Sequence, residues 1–97
     1  MSEQSRHFFV QGRVQGVWYR SWCQETAQSM GLTGFVRNRQ NGQVEVYAVG
    51  TPEKLDAFVL QCQKGPLLAR VDKILPAPAL EQVSDVPTDR FDVLATK

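Results

Sequence analysis

The stretch "GRVQGVWYR", Gly12 to Arg20, sets two glycines four positions apart and ends on an arginine, yet contains no Ser, Thr, Cys, His, Asp or Glu. Glycines let a loop turn tightly and bring backbone N–H groups close to a ligand. The start of a following helix adds unpaired N–H groups and partial positive charge. Arg20 contributes a permanent charge and a planar fork that can hold two phosphate oxygens at once. Together these features describe a nest for an anion, and phosphate suits it best.

Two familiar phosphate chemistries are excluded. The loop lacks the Gly-Lys-Ser/Thr ending of a nucleotide-binding P-loop. The arginine-to-cysteine spacing of a cysteine phosphatase would put the nucleophile at position 14, which is Val14. With neither a nucleophile nor metal ligands at hand, a reaction here uses water directly on phosphorus. Such attack favours a leaving group that departs unaided. A carboxylate, whose conjugate acid has a pKa of about 4, needs no general acid where an alkoxide would. The chemistry points to mixed carboxylic-phosphoric anhydrides.

The loop must be held between elements. "RHFFVQGRV" is aromatic and branched and predicts a strand near Arg6 to Gln11. From Tyr19, apolar residues recur at Cys23, Ala27 and Met30 with Trp22 alongside, and Gly31 supplies a stop, so an amphipathic helix follows the loop. "LTGFVRNRQNGQVEVYAVG" reads as two strands around Asn41-Gly42, the dipeptide suited to a two-residue type I′ turn. Thr51 and Pro52 open a second helix whose Leu55, Phe58, Val59 and Cys62 share a face, ending at "KGP". "ARVDKILPAP" and "RFDVLAT" are strand-like. The order β-α-β-β-α-β with a short last strand predicts an α+β two-layer sandwich, an antiparallel sheet with two helices on one face. A right-handed crossover makes the first two strands parallel with another strand between them. The loop after strand one and "RNRQNG" after strand two then meet at one edge.

The chain of 97 residues, 42% hydrophobic and 22% charged, predicts a single soluble domain without a membrane-spanning segment. Eleven basic against ten acidic residues give no global field to draw it to nucleic acid or a membrane surface. The charged, polar N-terminus does not resemble a secretory signal, and the expected location is cytoplasmic. Cys23 and Cys62, 39 positions apart, read as small core residues rather than a metal pair.

"GRVQGVWYR" resembles the first signature of the acylphosphatases, and "GFVRNRQNGQVEVYAVG" is similar to their second, with Gly34, Asn38, Gly42, Val44 and Gly50 at the family's spacing. "GPLLARVD" is similar to the segment after their second helix, so the resemblance spans nearly the whole chain. It implies a ferredoxin-like fold and hydrolysis of acyl phosphates to a carboxylate and inorganic phosphate. By the same resemblance, Arg20 and the backbone amides of Gln15, Gly16, Val17 and Trp18 bind the phosphate, and Asn38 orients the attacking water. No metal or organic cofactor is implied. The expected partner is a small-molecule acyl phosphate, with no nucleic acid and no membrane, and the expected state is a monomer. Tyr19 stands where phenylalanine is usual, so its hydroxyl either reaches solvent or needs a buried partner. The ending "FDVLATK" lacks the basic-aromatic residues that many members carry.

Other residues read as structural. His7 lies inside the first strand, away from the loop. Trp22 reads as packing, whereas Trp18 is divided between packing and stacking on an acyl group. Arg37 and Arg39 flank Asn38, project to the opposite face and are expected to be solvated. Two rival functions share the pattern: a non-catalytic phosphate-binding domain, and an RNA-binding ferredoxin-like module. The RNA-binding module requires paired aromatics on its central strands, and "QVEVYAV" offers only Tyr47.

Overall fold

The computed structural model describes residues 3–78 and 87–97. Its elements are β1 (Gln4–Arg13), α1 (Tyr19–Ser29), β2 (Thr33–Asn38), β3 (Val44–Gly50), α2 (Pro52–Lys64), β4 (Arg70–Pro76) and β5 (Phe91–Val93). The expected alternation appears in β1, where Phe8 and Val10 are buried and their neighbours less so. Strand β1 runs two residues beyond each predicted end because it is paired on both sides, to β3 and to β4.

The sheet has the order β4-β1-β3-β2-β5. Both β1 and β2 are antiparallel to β3, so they run parallel to each other with β3 between them. Their C-terminal ends share one edge, as the crossover argument requires. One expectation is corrected: the sheet is mixed, because β5 pairs parallel with β2. The cause is directional. Strand β4 is antiparallel to β1 and so runs toward the end of the sheet where β1 and β2 begin, and β5 starts beside Gly34 near that end. The chain therefore runs up β5 in the direction of β2.

A second correction concerns the hairpin. The Arg39 amide donates to the Gln43 carbonyl at 2.8 Å, and the Gly42 amide donates to the Arg39 carbonyl at 3.2 Å. Gly42 has φ 93, whereas Asn41 has no positive φ. This is a three-residue loop with a left-handed glycine in the bulge position, not a two-residue type I′ turn. Asn41 fits it through its side chain, whose Oδ1 accepts from the Gln43 amide at 3.0 Å.

Both helices cover one layer of the sheet. Cys23 and Ala27 of α1 and Leu55, Phe58 and Cys62 of α2 are fully buried against Val10, Val36, Val44 and Val46. Phe58 lies between Phe8 and Phe91, with ring centroids 6.5 and 6.0 Å away. Burying that ring stabilises the fold by roughly 1.5–3 kcal/mol. Helix α2 begins as read: the Thr51 hydroxyl accepts from the Lys54 amide at 3.4 Å, with Pro52 in the first turn. Among the described residues no helix is long and apolar enough to cross a membrane.

Candidate active site

The loop between β1 and α1 is anchored by Val14 and Val17, both buried in the core. Between and beyond these anchors, Gly16 and Trp18 are left-handed, with φ 73 and 68. At Gly16 an added Cβ would meet no atom within 4 Å, so this backbone faces open space. Among the described residues, the amides of Gln15, Gly16, Val17 and Trp18 donate to no backbone acceptor. Successive unspent N–H groups in a twisted loop ahead of a helix make a concave anion site.

That loop borders a cleft of about 260 Å³ lined by Val14, Gly16, Trp18, Tyr19, Arg20 and Ser21. Arg20 sits in the first turn of α1 and forms no ion pair among the described residues. Its charge adds to the positive helix end, and no carboxylate among the described residues pairs with it. Among the described residues, no group of three or more His, Cys, Asp or Glu could hold a metal ion.

Asn38 is the last residue of β2 and shares the helix-covered layer with Val36 by strand alternation. Helix α1 packs over β2 and β5, and its first turn lies at the end of the sheet where β1 ends. The topology thus sets Arg20 and Asn38 at the same corner of the sheet, although Asn38 is not among the residues lining the Arg20 cleft. Asn38 is only 9% exposed, and its Oδ1 is buried without a hydrogen-bond partner. A buried polar atom left unpaired costs about 1–3 kcal/mol, which makes Asn38 a candidate contact for a further group.

The corner is held by contacts that the sequence reading did not anticipate. The Gln15 side-chain amide donates to the carbonyls of Arg39 and Gln43, each at 2.8 Å. It therefore ties the loop to the hairpin that follows Asn38. The Lys97 amide donates to the Asn38 carbonyl at 3.1 Å, so the segment after β5 braces the same residue. Tyr19 is buried, and its hydroxyl has found the buried partner it needed: it donates to the Cys62 carbonyl at 2.7 Å. Burial pushes the Tyr19 phenol far above its usual range, so it stays neutral.

On the opposite layer the expectation for Arg37 and Arg39 is corrected. Both do project away from Asn38, but they are ion-paired rather than solvated. Arg37 Nε and Arg39 Nη1 lie 2.7 and 3.2 Å from Glu45 Oε1. His7 Nε2 lies 2.6 Å from Glu45 Oε2, and His7 Nδ1 lies 2.7 Å from the Pro78 carbonyl, so the ring is structural as read. Burial pushes the Glu45 carboxyl up, but hydrogen bonds and charge from Arg37 and His7 outweigh it and hold the group below its usual range. Arg37 also lies over the Phe35 ring, 5.0 Å from its centroid. Cys23 and Cys62 are buried free thiols, and burial together with the hydrogen bond between them pushes the Cys23 thiol up. Trp22 packs against the core, whereas Trp18 stands in solvent.

The family model for acylphosphatase matches residues 6–93. An acylphosphatase of Rhodopseudomonas palustris is 42% identical over 99% of this chain and 99% of its own length. One from Cupriavidus metallidurans is 48% identical over 91% of this chain and 88% of its own. The crystal structure of acylphosphatase from Bacillus subtilis superposes with a TM-score of 0.81 at 32% identity, covering 96% of this chain and 99% of that one. With both signature segments at the corner just described, the chain belongs to the acylphosphatase family of hydrolases.

Proposed function

We propose that the chain hydrolyses acyl phosphates by direct in-line attack of water on phosphorus. Arg20 and the amides of Gln15, Gly16, Val17 and Trp18 hold the phosphoryl oxygens, and Asn38 orients the water. The water oxygen forms a bond to phosphorus as the bond to the carboxyl oxygen breaks. The electron pair leaves on the carboxylate, and the water proton is retained by the phosphate product or passes to solvent. No general acid is needed because the leaving carboxylate is a weak base.

The observation that carries this reading is the buried, unpartnered Oδ1 of Asn38, at the corner where the loop amides are unspent. A water bound there would complete its hydrogen bonding. A non-catalytic phosphate binder has no use for such a group. An RNA-binding module would need exposed aromatics on the helix-free layer, whereas Phe35 and Tyr47 are buried there. We infer a small-molecule substrate and a cytoplasmic monomer of one domain. The test is turnover of benzoyl phosphate beside glycerol phosphate in the presence of a chelator. Rapid hydrolysis of the first alone is expected, and comparable turnover of the second would reveal a general acid that this mechanism lacks.

A further inference from the structure

Trp18 breaks three local rules at once. It occupies the N-cap of α1, where Ser, Thr, Asp or Asn would close the first turn, and makes no side-chain cap bond. Its backbone is left-handed, a conformation that Gly and Asn accept and a bulky residue resists. Its side chain is 76% exposed. An indole there gains little from the helix, the backbone or the core. Its apolar area is available to a ligand, and it lines the same cleft as Arg20.

A second apolar group flanks the loop. The chain leaving α2 passes Tyr19, since a Cβ added at Gly65 would come within 3.1 Å of the Tyr19 ring. It then reaches Arg70, which pairs with Arg13 at the base of the loop. Between these points Leu67 is 97% and Leu68 64% exposed. Of the exposed large hydrophobic residues among those described, Trp18 is in the loop and Leu67 and Leu68 are in the segment that flanks it, whereas Leu60 is on α2 and Val93 on β5. Clustered exposed apolar groups mark binding surfaces, whereas scattered ones need no explanation.

In-line displacement fixes which way the acyl group points. The leaving carboxylate lies opposite the attacking water, which the proposed mechanism sets at Asn38, a buried residue outside the lining of the cleft. On that mechanism the acyl group leaves toward the open cleft, whose lining includes Trp18. We infer that Trp18, with Leu67 and Leu68 beside it, recognises the acyl group and selects acyl phosphates with an aromatic or long apolar acyl portion over short ones. This inference rests on the reading of the Arg20 cleft as the phosphate site.

The test compares kcat/KM for benzoyl phosphate and acetyl phosphate in the full chain, in Trp18→Asn, in the double variant Leu67→Ser/Leu68→Ser, and in Arg20→Ala. Asparagine keeps the loop amide and tolerates the left-handed backbone. The benzoyl-to-acetyl ratio is expected to fall roughly five- to tenfold in Trp18→Asn, the scale of one aromatic pair, and about two- to threefold in the leucine double variant. An unchanged ratio in both variants, with Arg20→Ala still slowing both substrates, overturns acyl recognition and leaves the phosphate site standing. If Arg20→Ala slows neither substrate, the phosphate reading fails as well. Should Trp18→Asn not fold, the exposed leucine variant carries the test, and an unchanged ratio there overturns the inference.

Discussion

The Tyr19 hydroxyl donates to the carbonyl of Cys62 at 2.7 Å, and in an α-helix that carbonyl would have taken its bond from residue 66, which is Pro66. Proline has no N–H to give. The phenol supplies the missing donor and links the first turn of α1, next to Arg20, to the last turn of α2.

Tyr19→Phe should therefore destabilise the protein by about 1–2 kcal/mol, the cost of leaving a buried carbonyl unpaired. Urea unfolding is expected to show a lower midpoint with an unchanged slope. An unchanged midpoint would mean that another donor satisfies Cys62.

Glu45 should make stability depend on acid. Its carboxyl is held below its usual range when folded, so in the unfolded chain it takes up a proton at higher pH. Wherever the unfolded state binds more protons, stability falls as pH falls. The contribution of Glu45 should be complete at neutral pH and drain away from about pH 4 downward, as protonation passes through the lowered folded value. Glu45→Ala should cost about 1–3 kcal/mol at pH 7 by leaving Arg37, Arg39 and His7 without their shared partner. The difference from the unsubstituted chain should shrink at low pH. A difference that is constant with pH in thermal unfolding would show that Glu45 acts by packing alone.

Much of this arrangement was legible in local chemistry. Gly31 ends α1, Pro52 opens α2, and the apolar stripe Leu55-Phe58-Cys62 faces the sheet as periodicity requires. The Glu45 network was missed because of a single residue of register. A two-residue turn at Asn41-Gly42 sets Asn38 opposite Glu45, whereas the three-residue loop sets Arg37 opposite Glu45 and Asn38 opposite Val44. The parallel pairing of β5 follows from where β4 ends and β5 begins, which short-range pattern does not carry. The Gln15 clamp likewise joins residues 24 and 28 positions apart and depends on the finished fold. Tyr19 left a readable trace in the Cys62-to-Pro66 spacing, since a helix followed four residues on by proline leaves a carbonyl in need of a donor.

The account stands or falls on the different work assigned to Arg20 and Asn38. Arg20 is expected to meet phosphate in both bound substrate and transition state, so Arg20→Ala should weaken competitive inhibition by inorganic phosphate as well as slow turnover. Asn38 is expected to act on the water. With circular dichroism and melting temperature showing a folded protein, the direct measurement is kcat and the phosphate inhibition constant of Asn38→Ala. The account predicts a loss in kcat of about 10²-fold or more with the phosphate constant almost unchanged. Wild-type turnover in folded Asn38→Ala, or a loss of phosphate affinity as large as that of Arg20→Ala, would contradict it.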